Sequence, residues 1–291
     1  MHRLPTIALE LIAGLPLRLL HALGTVLGWA MYGTSPTYRR HLRENLAQAG
    51  LDEARVRRAA VASAGRMVLE LPAVWFRSRE RVLSLVTKIE GLDAVLGARE
   101  AGKALLFLTP HLGCFEIAAQ YATRYFPITV LYRRPKLAWL DPLMRAGRER
   151  DRVRLVPADL SGVRELYGAL KRREAVGFLP DQVPGIGEGE WADFFGRPAY
   201  TVTLAARLAA REDVACFLAY ARRLRRGAGY EICLRPLPEK LEAETPVRRL
   251  NRALEALVRE CPEQYLWGYN RYKTPKGATA PPALNRGRGR R

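Results

Sequence analysis

Acidic residues are scarce in this 291-residue chain: 29 Asp and Glu stand against 48 Lys and Arg, a formal net charge of +19. The imbalance implies a partner of opposite sign, whether nucleic acid, an anionic membrane surface, an acidic carrier protein or a phosphorylated substrate. Cysteine is equally sparse. Cys114, Cys216, Cys233 and Cys261 are scattered and form no Cys-x-x-Cys pair, which argues against structural zinc and a disulfide framework and fits a reducing compartment. Of the four histidines, His2, His21, His41 and His111, only His111 lies in mid-chain beside core-like segments. A multi-histidine metal site is therefore not expected, and His111 is the evident neutral-pH base. There is no GxxxxGK[ST] loop, no GxGxxG after a strand and no GxSxG elbow, so the chemistry requires neither a nucleotide fold nor a serine nucleophile. The unbroken apolar stretch Ala22 to Tyr32 is too short to cross a bilayer, and no small-residue cleavage site follows it.

What is present reads as an α/β protein. Hydrophobic residues make up 48% of the chain and charged residues 26%, enough for a large core in one unit. Short apolar runs predict strands near 104–108, 128–131, 153–155, 175–179, 214–220 and 230–234. Helical spacing fits 94–101, 114–125, 140–150, 162–172, 202–211 and 247–260. This alternation predicts a largely parallel central sheet flanked by helices. The last two strands are joined by a basic, glycine-containing turn, Arg222 to Gly229, and look like a hairpin. Ahead of the domain (residues 35–275), residues 1–34 read as one apolar helix. Its polar groups Glu10, Arg18 and His21 share an arc of about 80°. Such a helix suits either a membrane interface or a groove on the protein's own core, and the membrane-associated reading is preferred. Arginines 39, 40, 43, 55, 57, 58 and 66 follow directly, as a solvated face or a contact for anionic headgroups. The Pro-, Gly- and Arg-rich tail, residues 276–291, is expected to be disordered.

His111 follows the strand at 104–108 and Glu116 falls in the helix after it, with Gly113 giving freedom at the turn. Residues five apart sit about 140° apart on a helix and on opposite faces of a strand. A histidine in the loop nevertheless reaches a glutamate one turn into the helix, as a base with its orienter. Two further strand ends carry polar groups: Tyr132-Arg133-Arg134-Pro135 and Pro180-Asp181-Gln182-Val183-Pro184-Gly185. In a parallel sheet these loops open on one edge, so His111, Arg133 and Asp181 are expected to converge. Phe194-Phe195-Gly196-Arg197 is either a contact for a greasy phosphorylated substrate or a core turn. A base acting on a hydroxyl fits direct acyl transfer.

Together these segments resemble the lipid A biosynthesis lauroyl/myristoyl acyltransferases of the glycerophosphate acyltransferase-like group. The likeness is carried by His111-Leu-Gly-Cys-Phe-Glu116, Tyr132-Arg-Arg-Pro, Leu143-Met-Arg-Ala-Gly-Arg148, Pro180-Asp-Gln-Val-Pro-Gly185, Phe194-Phe-Gly, Arg43-Glu-Asn-Leu46 and Pro262-Glu-Gln-Tyr-Leu-Trp. It implies transfer of a fatty acyl group from acyl carrier protein to a hydroxyl of a lipid A precursor, at the cytoplasmic face of the inner membrane. His111 would be the base and Glu116 its orienter. Arg148 would lie near the oxyanion or an acidic substrate group, and Arg133, Asp181, Gln182, Phe194 and Phe195 would bind substrate. No metal or other cofactor is implied. The chain departs from the family's pattern at Asn270, where a basic residue is common, and at Glu188 and Glu190. Acylation of a lysophospholipid or another glycolipid or aminolipid remains the neighbouring reading. A nucleic-acid-binding protein is the reading from another class, opposed by the apolar N-terminus and the absence of a binding motif.

Overall fold

The computed structural model describes residues 3–135 and 137–282, with side chains from Leu9 onward. The chain begins with helices: α1 (Arg3–Gly14), α2 (Leu17–Thr34), α3 (Pro36–Gln48), α4 (Ala54–Phe76) and the short α5 (Arg79–Leu83). The single helix expected over residues 1–34 is in fact two, broken at Leu15-Pro16, because proline lacks the N–H an uninterrupted helix needs. A second break at Ser35 starts α3, where the Ser35 hydroxyl accepts from the Tyr38 N–H and Pro36 occupies the first turn. α2 lies against α4 through glycine. A Cβ on Gly65 would fall 2.0 Å from the Gly24 carbonyl oxygen, so only glycine permits this approach. Among the described residues, the helix long and apolar enough to cross a bilayer is α4 rather than α2. However, 67% of its apolar window is buried inside the protein, as for a core helix.

The seven-stranded sheet has the order β1-β9-β8-β2-β5-β3-β4. Its strands are β1 (Val86–Glu90), β2 (Ala104–Leu108), β3 (Ile128–Tyr132), β4 (Val153–Pro157), β5 (Ala175–Phe178), β8 (Val214–Arg223) and β9 (Tyr230–Pro236). All neighbours are parallel except β8 and β9, which form the expected antiparallel hairpin. The helices α6 (Leu92–Glu100), α7 (Phe115–Ala122), α8 (Leu140–Arg148), α9 (Leu160–Lys171), α10 (Thr203–Ala209) and α11 (Pro246–Glu260) cover the two faces. On the central strand β2, Leu106 and Leu108 face one core with α9, α10 and α11. Leu105 and Phe107 face the other, with α7 and α4. Strand β1 escapes apolar-run reading because Val-Thr-Lys-Ile-Glu is a half-exposed edge strand.

A separate hairpin, β6 (Gly189–Phe194) and β7 (Arg197–Val202), was also unanticipated. Its turn is Phe195-Gly196, both with positive φ, as a two-residue connection between twisted strands demands. Residues 276–282 of the tail turn back against the hairpin, where the Trp191 indole donates to the Thr279 carbonyl. The remainder, 283–291, lies outside the described residues.

Candidate active site

β2 and β5 are adjacent and parallel, with Leu108 paired to Phe178. His111 and Asp181 each stand three residues beyond that pair, so the two loops leave the same sheet edge at equal height. The His111 loop is tied down along its backbone. The His111 carbonyl accepts from Leu266 N, Gly113 N donates to the Gln264 carbonyl, and Cys114 N donates to the Ala221 carbonyl. Gly113 has φ +63°, and a Cβ there would fall 2.0 Å from the Ala221 carbonyl oxygen, so glycine is required.

The carboxylate that grips the imidazole is Asp181, a correction to the expected His111–Glu116 pairing. His111 Nδ1 lies 2.8 Å from Asp181 Oδ1, and the His111 backbone N–H donates to Oδ2 at 2.9 Å. Burial alone would push the Asp181 carboxyl up. The charge and hydrogen bonds of His111 outweigh burial and hold it below the usual carboxylate range. With its proton on Nδ1, the ring presents a lone pair at Nε2. That atom lies 3.2 Å from the Gln182 side-chain nitrogen, which donates to it in this tautomer, and both residues line the cleft.

Glu116 belongs to a second cluster. It forms a bidentate ion pair with Arg148, whose Nε lies 2.9 Å from Oε2, and accepts from the Trp75 indole at 3.1 Å. Burial would lower the Arg148 pKa, but the Glu116 charge and hydrogen bonds dominate and hold it above its ordinary value. The guanidinium sits between the Trp75 and Tyr132 rings, 5.7 and 5.5 Å from their centroids. Gly147 makes this possible, since any Cβ there would collide with the Trp75 side chain at 2.3 Å. Gln120 donates to the Gly147 and Arg148 carbonyls, completing the end of α8. Trp75 and Gln120 were not anticipated from sequence. The Trp75 contact spans 41 residues and has no local signature.

His111 and Gln182 from the first cluster and Glu116, Gln120 and Arg148 from the second line one cleft of ≈ 940 Å³, whereas Asp181, expected to bind substrate, is buried behind His111 and is not part of the lining. Arg133 and Gln182 line it as expected, Arg133 with Glu188 3.8 Å away. Arg134 and Arg207 add cationic groups, and Asp159 a further carboxylate. Phe194 and Phe195, expected to touch substrate, do not line this cleft. They are buried in the core, where the Phe195 N–H is held by Glu255. The core-turn alternative describes them. A second, smaller cavity of ≈ 70 Å³ lies under α7 and is almost wholly apolar. It shares Phe115, Ala119, Val130, Phe178 and Leu179 with the cleft, so the two spaces adjoin beside His111.

The sequence profile described as "Bacterial lipid A biosynthesis acyltransferase" matches residues 3–274. The chain is 26% identical over 220 residues to the lipid A biosynthesis lauroyltransferase of Escherichia coli K12, covering 74% of this chain and 71% of that one. It is 27% identical over 215 residues to the palmitoleoyltransferase of the same organism, covering 73% and 69%. The E. coli myristoyltransferase is 28% identical over 196 residues, covering 64% and 59%. With the match running through the His111 loop, the Arg148 helix and the Asp181 loop alike, the chain belongs to the bacterial lipid A biosynthesis acyltransferases.

Proposed function

We propose that this acyltransferase moves a fatty acyl group from an acyl carrier protein thioester to a hydroxyl of a lipid A precursor, with His111 as general base. The observation that carries this reading is the Nδ1 contact to buried Asp181, which leaves Nε2 as the basic nitrogen, its one partner being the side-chain amide of cleft-lining Gln182. The acceptor hydroxyl displaces the Gln182 amide and gives its proton to Nε2 while its oxygen attacks the thioester carbonyl. The tetrahedral intermediate then expels the thiolate, which takes the proton back from the imidazolium. Asp181 fixes the tautomer and stabilises the cation. Glu116 holds Arg148, whose remaining N–H groups meet the developing oxyanion or an anionic part of a substrate.

The apolar space under α7, at ≈ 70 Å³, is suited to the terminal carbons of an acyl chain that enters from the adjoining cleft, and the arginines at the cleft to acidic groups of the carrier and of the glycolipid. We assign the work to an anionic membrane surface, the cytoplasmic face of the inner membrane. α2 exposes Leu19, Leu23, Val26 and Trp29 along one side, while its glycine side is occupied by α4. Arg18 flanks that stripe and lies against Gly227, beside exposed Arg225 and Arg226. An apolar face with a cationic margin favours lying in the interface over spanning it. Glu188 and Asp159 favour a second reading, an acceptor bearing an amine, because they bring negative charge to the cleft.

The test is transfer from acyl carrier protein thioesters to a lipid A precursor by wild type and His111→Ala. Wild-type transfer abolished in a folded variant supports the reading. Transfer that survives the substitution removes His111 as base. Transfer only to lysophospholipid or aminolipid acceptors replaces the acceptor.

A further inference from the structure

Glu70 on α4 and Arg223 at the end of β8 form the most deeply buried ion pair among the described residues, with side chains 1% and 3% exposed. Nε and Nη2 of Arg223 donate to both carboxylate oxygens of Glu70 at 2.6–3.0 Å. Glu70 also accepts from the Tyr230 hydroxyl at 2.9 Å and contacts His21 Nε2 at 3.2 Å. Burial would raise the Glu70 carboxyl, yet the Arg223 charge and the hydrogen bonds from His21 and Arg223 bring it down to about 2. Ser63 accepts from Nη1 at 3.0 Å. The remaining Nη2 contact leaves the cluster: it is a 2.7 Å hydrogen bond to the Gly113 carbonyl, two residues from His111. Gln264 closes the loop, its side chain bonding the Arg223 backbone in both directions while its carbonyl accepts from Gly113 N.

A buried ion pair is poor evidence of stability, since packed apolar side chains of similar volume commonly do as well or better. What apolar side chains cannot supply is a donor for the Gly113 carbonyl in a fixed direction. A guanidinium held along its Nε–Nη2 edge by a carboxylate, and at Nη1 by Ser63, does supply it. We propose that Arg223, oriented by Glu70, is a positioning residue for His111: it fixes the Gly113 carbonyl and through it the loop that aims the imidazole into the cleft. The assignment rests on His111 being the base. It makes α4 the common support of both halves of the site, because the same helix supplies Trp75 to Glu116. Through His21 it also makes the loop depend on the seating of α2.

The experiment uses the purified full chain, carrying either Arg223→Met with Glu70→Met or Arg223→Lys. The double variant leaves no unpaired buried charge. The lysine keeps the charge but loses the planar fork that grips both Glu70 oxygens and so fixes the direction of the N–H aimed at the Gly113 carbonyl. Thermal unfolding, kcat, the KM for the acyl donor and the ring NMR signals of His111, one of only four histidines, are read on each. The expected result is a cooperatively folded protein whose kcat falls about 100-fold, as misplacement by around 1 Å implies. KM stays within about threefold and the His111 ring signals move. A folded variant with kcat near wild type and unmoved ring signals overturns the proposal, as does a loss of rate that vanishes once the assay is cooled below the variant's melting range. If the double variant does not fold, the lysine variant decides by the same readouts. If wild type transfers no acyl group, the reaction assignment fails separately, and the ring signals alone decide: unmoved signals in folded Arg223→Lys overturn the positioning role, displaced signals sustain it.

Discussion

Asp181→Asn separates the two carboxylates that compete for the role of orienting His111. In wild type two donors, the ring Nδ1–H and the His111 backbone N–H, each have their own carboxylate oxygen, at 2.8 and 2.9 Å. An asparagine offers one oxygen for both. Either one buried donor is left unpaired, costing about 1–3 kcal/mol, or the ring accepts from the amide nitrogen and carries its proton on Nε2. In the second case the base is lost. Loss of general-base catalysis is worth about 10²- to 10⁴-fold, or about 2.7–5.4 kcal/mol of barrier at about 1.36 kcal/mol per decade. Asp181→Asn is therefore expected to lower kcat by at least about 100-fold at neutral pH, with a small change in donor KM. Glu116→Gln keeps an acceptor for Trp75 and strips Arg148 of its counter-charge. It is expected to weaken transfer without changing the shape of the kcat/KM pH profile. The assay is initial-rate acyl transfer across pH for wild type and both variants, with circular dichroism to verify folding. Asp181→Asn within about threefold of wild type, together with a shifted profile in Glu116→Gln, would refute the assignment and restore the Glu116 pairing. The same pair has a signature in stability. Because the folded Asp181 carboxyl is held below its ordinary value, its contribution is present above the unfolded carboxylate value of about 3.9 and is lost as pH falls through the folded one. Asp181→Asn removes that contribution, so the difference in melting temperature between wild type and variant should shrink as acid is added below about pH 4.

Two more outcomes follow from the surfaces around the site. Ala119→Phe puts a ring between the cleft and the slot under α7. Competition among acyl carrier thioesters of graded length should then shift toward shorter chains, by about tenfold for each two methylenes excluded; unchanged preference would place the acyl chain elsewhere. Val26→Asp puts a charge in the exposed stripe of α2 without touching its glycine face. Flotation with anionic lipid vesicles should show at least about tenfold weaker binding, whereas equal binding would mean that another face meets the bilayer.

The chain sequence by itself determined the α/β class, six of the seven strands of the main sheet and the convergence of three loops, because each rests on local periodicity and on the rule that parallel strands open their loops on one edge. It also singled out His111, since no other histidine follows a buried strand. What tertiary structure decided was partnership. Glu116 is five residues from His111 in sequence, yet the nearest usable carboxylate is Asp181, 70 residues away, delivered by the β2–β5 register. Glu116 meets Arg148 instead, because α8 is drawn against Trp75 by Gly147. The Phe194-Phe195 pair could equally have been a substrate contact or a turn, and only the positive φ of Phe195-Gly196 and burial against α11 make it the turn. Glu70 and Arg223 carried no local signal at all: a charge alone on an apolar face reads the same whether it meets water or, 153 residues later, its counter-ion. Periodicity reports which side of an element is buried, but only the packing of distant elements fixes which buried polar groups face one another.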